Sequence, residues 1–423
     1  MSCGHLPTAR PHMRQLTHWI ASVAFVATLC LPLLQTATGA LPNAGLGGVV
    51  KPMPTLDPSI AAWNDGTLQH AVEEGLRRHL GLRDWMIRAD NELRMQAFGS
   101  AKRPILANED GWLLEEGYLP TKILARESGI VDELLTRACN LRRLQDALAE
   151  HGVQLAVVIS PSKVWTYPER VASPHGDAIA AMTGSYTYPE VLRAGLDESG
   201  VRHFDFGSIF REWKATDGSD VPPLFPRGGI HWSNHASARA AVLIQDAMEK
   251  VARADFRSIE IARIAKSNKP GGGEDDLALL ANLLDTTTWQ EPIGQPIVQA
   301  RANDQGKPMA TLLVGTSFLW GIARAFACDG ACDPLTVWYY FKSEYRYVDG
   351  KQGKGVAMKW TPAELKEQLL RYEVILVEGN ESATPGFGQG FVEAALEALG
   401  IDALKEPEPE FLHRLTQRTR VTR

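Results

Sequence analysis

The chain has 423 residues, 44% hydrophobic and 22% charged, with a formal net charge of −6. That is enough for one large domain or two ordinary ones, with the composition of a globular protein. A general nucleic-acid binder needs a basic face, so no nucleic-acid partner is expected.

At the start, Arg10 and Arg14 precede the apolar run Ile20–Leu34, small residues follow, and no acidic residue appears before Asp57. A basic start, an apolar middle and a small-residue exit near Ala40 make a secretory signal. The run is short for a membrane span and Pro32 interrupts it, which favours cleavage; an uncleaved signal anchor is the alternative. Residues 1–40 are therefore expected to be a signal peptide or anchor, with the rest exported to the periplasm or held at the inner membrane. Residues 41–58, rich in Gly and Pro, read as a linker.

From Leu68 to Gly99 the apolar spacing is helical, with a break near Gly81. Asn108–Leu114 reads as a turn entering a strand, and a helix follows over Leu134–His151. Val153–Ser160, Ala310–Gly315 and Glu373–Gly379 are short continuous apolar runs, as expected of strands buried on both faces of a parallel sheet. "HFDF" ends another strand at Asp205, and helical patterns cover Asn234–Val251, the stretch after Ser317, and "GFVEAALEALG". Strands alternating with helices predict an α/β fold with a mainly parallel sheet. "SNKPGGGEDD" reads as a surface loop, and residues 406–423, carrying Arg414, Arg418, Arg420 and Arg423, as a solvated basic tail.

Of five cysteines, Cys3 and Cys30 lie in the leader. Cys328 and Cys332, in "CDGAC", could close a small disulfide loop or sit unbridged in a surface turn. As a zinc half-site they lack a second pair. His231 and His235 could share a metal only if both were helical, and His231 precedes the helix, so no metal is expected.

The chemistry gathers at two places. In an open parallel sheet, ligands bind beyond the carboxyl ends of the strands. Ser317 stands there, between Gly315 and a helix, where backbone N–H groups can stabilise an oxyanion. A serine at such a junction also serves as a helix cap. In "GGIHWSNHASARAA", His231 precedes a helix that Ser233 or Asn234 would cap; it suits a general base for a serine, or a loop histidine bonded to backbone. Lys163 and Tyr167, in "PSKVWTYPE", are candidates for binding an anionic sugar, unless Pro161 and Pro168 merely shape a loop. Trp232 is a candidate for stacking on a sugar ring or for core packing. Trp112 reads as structural, and Glu378 and Asn380 close a strand where they could assist.

Taken in order, "LRDWMIRADNELRMQAFG", "NEDGWLL", "ISPSKVWTYPE", "GGIHWSNHASARAA", "EDDLALLANLL", "LLVGTSF" and "VILVEGNE" resemble the SGNH hydrolase-like domain of the alginate O-acetyltransferases, the AlgX/AlgJ family. The resemblance runs from Pro54 to Leu404. It implies one three-layer α/β/α domain over residues 59–405, with Ser317 as acetyl-accepting nucleophile and His231 as base. The histidine block precedes the serine block, the reverse of ordinary SGNH esterases. The family's histidine block reads Asp-x-His-Trp, but here Gly229 stands where the acid should be. Asp205 and Asp220 are the candidate replacements.

The resemblance further implies a polysaccharide acceptor, a membrane-bound acyltransferase as donor partner, no cofactor, and here no appended carbohydrate-binding module. An acetylesterase using the same residues, and a catalytically silent polysaccharide-binding scaffold, are the competing expectations.

Overall fold

The computed structural model describes residues 11–48, 52–102, 105–108, 110–119, 127–171, 173, 175–181, 186–267, 269–285, 293–302 and 305–418. The chain divides into two compact units, Met1–Arg103 with Leu279–Asp285, and Pro104–Ala278 with Thr286–Arg423.

The first unit holds α1 (Pro11–Thr38), α2 (Ile60–Asn64), α3 (Thr67–His79) and α4 (Arg83–Phe98). Within α1, the 21 residues His18–Thr38 are long and apolar enough to cross a membrane. The break near Gly81 is present, and it is completed by Leu82, which adopts a left-handed φ of 63° at the start of α4.

The second unit begins with a hairpin of β1 (Ile105–Ala107) and β2 (Leu113–Glu115), then α5 (Ser128–Glu150), β3 (Gln154–Ser160), α6 (Lys163–Thr166), α7 (His175–Ala180) and α8 (Tyr188–Ser199). β4 (His203–Asp205), α9 (Phe206–Thr216), α10 (Asn234–Ala252), β5 (Ile259–Ser267), α11 (Asp276–Ala281, whose residues from Leu279 on count with the first unit) and β6 (Ile293–Ala300) follow. The remaining elements are β7 (Thr311–Gly315), α12 (Leu319–Phe326), β8 (Leu335–Tyr339), β9 (Ser343–Val348), β10 (Lys351–Gln352), β11 (Val356–Ala357), α13 (Pro362–Leu369), β12 (Val374–Asn380), α14 (Phe391–Ala398) and α15 (Pro409–Arg418).

One eight-stranded sheet runs β10-β9-β8-β7-β12-β3-β4, with β11 also on β9. The strands from β8 to β4 are parallel, and β9 turns antiparallel at the edge. Every residue of β7 and β12 is buried, which is why these segments read as unbroken apolar runs. Side chains alternate across the sheet. Ala156, Val158, Leu313 and Leu376 meet α9, α10 and α12 on one face, while Leu155, Val157, Leu312 and Ile375 meet α5, α8 and α14 on the other. The result is the expected three-layer α/β/α arrangement. Its register brings Asn380 level with Ser160, and Ile159 level with Asp205, at one carboxyl edge.

The expected solvated tail is a helix up to Arg418, with Arg420 and Arg423 outside the described residues. Phe411 and Leu415, four residues apart, are buried against Leu134, Leu135 and Val191, and Arg414 pairs with Glu198. Cys328 and Cys332 are unbridged; Cys332 lies in the core, where burial pushes its thiol up to about 12.

Candidate active site

Ser317 follows β7 by two residues. It does not cap the next helix: Phe318 holds the cap position of α12 without a side-chain bond. The hydroxyl instead donates to His231 Nε2 at 2.7 Å. His231 sits just before Ser233, whose side chain accepts from Ala236 N and starts α10. His231 Nδ1 donates to Asp276 Oδ2 at 2.5 Å. Holding the ring proton on Nδ1 leaves Nε2 free to accept from the serine.

The carboxylate behind His231 is thus Asp276, from the loop that sequence reading assigned to the surface. Its other oxygen accepts from Ile230 N and Leu277 N, each at 2.8 Å, which fixes the carboxylate at the start of α11. The loop before it is clamped to α10: buried Glu274 accepts from Asn234 N and Gly271 N, and Asn234 Nδ2 donates to Gly271 O.

Gly229 belongs to this arrangement. A Cβ at 229 would lie 2.6 Å from Glu274 O and 2.9 Å from Pro226 Cγ, so no side chain fits while the loop is seated. An acid at 229 and the loop that carries Asp276 exclude each other.

Neither Asp205 nor Asp220 takes the role considered for it. Asp205 pairs with Arg193 at 2.7 Å and caps α9 through Ser208 N, a local use that consumes its carboxylate. Asp220 is exposed in a turn and makes no bond to His231.

The sugar-binding candidates are also corrected. Lys163 is buried, and its ammonium donates to the carbonyls of Leu113, Arg227 and Gly229, each at 2.8 Å. A buried ammonium must satisfy its donors, and this one does so by tying α6 to the histidine loop. Tyr167 packs on Trp112 and Phe225, and its hydroxyl accepts from Leu224 N. Trp232 is 3% exposed, donates Nε1–H to Phe318 O, and packs its ring against Phe206 and Phe210. Trp232 also borders the cleft, but at this burial it presents no open ring face for a sugar, and its packing is that of a core residue.

Sequence reading missed the aromatic wall. His231, Asp276 and Ser317 open onto a cleft of about 520 Å³ that Trp320, Tyr339 and Tyr345 also line. Trp320 lies 5.2 Å from the Tyr339 ring and 5.0 Å from the Tyr345 ring. "SFLWG" already placed Trp320 three residues after Ser317, on the first turn of α12. The Tyr340 side chain reaches Ser317, and burial pushes its phenol upward.

Beneath the serine lies Glu378, fully buried at the end of β12. It accepts from Thr316 N at 2.7 Å and from Ser160 Oγ at 2.5 Å, and burial pushes its carboxyl upward. Gly315 is required here, because a Cβ would lie 2.5 Å from Glu378 Oε2. With Thr316 N taken by Glu378, the N–H of Ser317 itself has no hydrogen-bond partner among the described residues. Asn380 turns away, donating to Pro161 O.

His235 is buried with both ring nitrogens unpartnered among the described residues, and burial, aided by the charge of Arg239, pushes it down to about 4. Among the described residues no group of three His, Cys, Asp or Glu could hold a metal ion.

Residues 105–324 match the family described as SGNH hydrolase-like domain, acetyltransferase AlgX. A search of curated proteins gave no match. Among solved structures, the O-acetyltransferase domain of Pseudomonas putida AlgJ shares 18% identity over 74% of this chain and 99% of its own, with a TM-score of 0.41. Pseudomonas aeruginosa AlgX shares 17% over 72% of this chain and 70% of its own, at 0.42. Bacillus cereus PatB1 with a sulfonyl adduct shares 13% over 67% and 99%, at 0.40.

Proposed function

Because the chain belongs to the SGNH hydrolase-like acetyltransferase family of AlgX, we propose that it transfers acetyl groups onto hydroxyls of an exported polysaccharide, alginate-like or another exopolysaccharide. The observation that carries this reading is the continuous hydrogen-bonded series Ser317–His231–Asp276 at the mouth of a cleft.

The chemistry runs in two halves. His231 Nε2 takes the Ser317 proton as Oγ attacks the carbonyl carbon of an acetyl donor. Asp276 stabilises the imidazolium that forms and keeps the ring in register. The negative oxygen of the tetrahedral intermediate is met by the Ser317 N–H at the start of α12. As the intermediate collapses, the bond to the leaving group breaks and His231 returns the proton to it, leaving acetyl-Ser317. A sugar hydroxyl then gives its proton to His231 and attacks the acetyl carbon; as the bond to Ser317 Oγ breaks, His231 hands that proton to Oγ, restoring the free serine. Trp320 and its tyrosine neighbours offer the flat apolar faces on which sugar rings stack.

The apolar α1 supports export, with the site working in the periplasm. Acetyl-CoA is a cytoplasmic donor, so a membrane-bound acyltransferase is the proposed supplier of acetyl. The test is an acetyl-ester assay with and without an oligosaccharide acceptor, read by mass spectrometry. Acetylated oligosaccharide, lost in Ser317→Ala, is the expected result. Hydrolysis indifferent to acceptor would replace the transferase by an esterase. No labelling of Ser317 by a fluorophosphonate would indicate a silent scaffold.

A further inference from the structure

The turn between β8 and β9 has a conformation that sheet pairing alone does not demand. Lys342 N donates to Tyr339 O at 3.0 Å across it, and both residues inside are left-handed, Tyr340 at φ 52° and Phe341 at φ 50°. Turns with two left-handed central residues favour Asn-Gly, because a bulky side chain at positive φ is strained. Strain of this kind persists where the surroundings fix it, and it gathers at functional sites.

The two rings are fixed by different partners. Phe341 packs 6.0 Å from the Trp338 ring and 5.5 Å from the Phe391 ring, on the face of the sheet that α14 covers. Tyr340 N donates to Gly315 O at 2.8 Å, which ties the turn to β7 two residues before Ser317. The Tyr340 side chain comes within hydrogen-bonding reach of the Ser317 side chain. Burial and the negative charge of Glu378 both push its phenol upward, so it keeps its proton and can donate.

Acyl transfer requires donors where the carbonyl oxygen turns negative, and most donors at this turn are already committed. Thr316 N donates to Glu378, Phe318 N to Thr316 Oγ1 and Leu319 N to Thr316 O. Asn380 Nδ2 donates to Pro161 O, and the Ser317 hydroxyl to His231. Among these described groups, the Ser317 N–H and the Tyr340 hydroxyl remain.

We propose that Tyr340 is a catalytic residue whose O–H is the second donor to the oxyanion formed at Ser317, an inference that rests on the acetyl-transfer reading of the cleft. As Oγ bonds to the acetyl carbon, the carbonyl π pair moves onto oxygen and is met by the Ser317 N–H and the Tyr340 O–H, neither of which gives up its proton. On collapse the pair re-forms the C=O bond, the bond to the leaving group breaks, and His231 supplies the leaving group's proton. The same two donors serve the second half, when the sugar hydroxyl attacks.

The test compares the full chain with Tyr340→Phe, which keeps the ring and the turn. Acylation of Ser317 by an aryl acetate, and by the matching thionoacetate whose sulfur accepts hydrogen bonds weakly, is timed by intact mass. Tyr340→Phe should slow acylation by the acetate about 10²-fold, with KM and the thermal midpoint little changed. The two proteins should differ little on the thionoacetate. Equal rates on the acetate would overturn the proposal. An equal loss on both esters would make Tyr340 a positioning residue instead, and a change confined to KM for an oligosaccharide acceptor would make it a sugar contact. A wild-type chain that neither ester acylates would overturn the reading of the cleft itself.

Discussion

The nucleophile turn and the acid loop meet at one imidazole but are built in different ways. Gly315–Ser317 is an extension of a central strand. Its position follows from the register of β7 against β12, and Glu378 holds its amide from below. The loop of Gly271–Asp276 extends no strand; it stays in place because Glu274, Asn234 and Asp276 satisfy backbone groups on both sides of it. Strand geometry carries the serine, whereas a set of individually modest hydrogen bonds carries the acid. The acid side should therefore yield to smaller changes.

Removing the proposed nucleophile should have the largest effect. Ser317→Ala should lower acetyl-ester turnover by about 10⁶-fold with the thermal midpoint little changed, as measured by steady-state kinetics beside a melting curve. Asp276→Asn should cost about 10⁴-fold in kcat, since an amide favours the wrong imidazole tautomer. The same loss in Asp205→Asn, with Asp276→Asn unaffected, would reverse the assignment.

Restoring the family's acid by Gly229→Asp should not rescue activity but lower it by roughly 10²-fold, because the new side chain displaces the loop at Glu274 and misplaces Asp276. Higher turnover in that variant would show that the loop yields freely. Glu378→Ala, on the strand-built side, should act mainly on stability. A cavity and an unpartnered Thr316 N–H together cost about 2–4 kcal/mol, read by denaturant titration.

His235→Leu is the smallest change to activity and checks that His231 acts without its neighbour. Turnover should stay within about twofold, as expected of a group outside the reacting centre. Its stability effect has a definite sign. His235 is held near 4 in the fold against 6.5 in the unfolded chain, so below pH 6.5 the unfolded chain takes up a proton that the fold refuses. Stability is lost as pH falls from 6.5 to 4, by about 3 kcal/mol at that group, and His235→Leu should flatten this part of the pH–stability curve.

How much of this was legible depends on how local the cause is. β3, β7 and β12 could be read directly, because a strand buried on both faces is apolar along most of its length, with polar residues confined to its ends and the site. Ser317 and His231, which the fold brings to 2.7 Å of each other, could be singled out as candidates because a strand end and a helix start announce themselves within a few residues. Asp276 could not. It lies 45 residues from the histidine it bonds, in a Gly- and Asp-rich run whose composition matches any solvated loop.

Lys163 and Trp232 misled for the converse reason: their types suit sugar binding, and only tertiary packing shows three carbonyls around one and phenylalanines around the other. The C-terminal helix was legible in principle, since Phe411 and Leu415 stand at helical spacing, but the surrounding arginines masked it.

Gly229 has a consequence for descent as well as for chemistry. Because a side chain there and a seated Glu274 carbonyl cannot share the space, the triad acid cannot migrate between the two positions through a chain that keeps both. A lineage exchanging one arrangement for the other must cross an ancestor with a bare histidine, or change residue 229 and the loop together. Relatives should therefore fall into two discrete groups, one with the acid beside the histidine and one with glycine there and the acid on the loop.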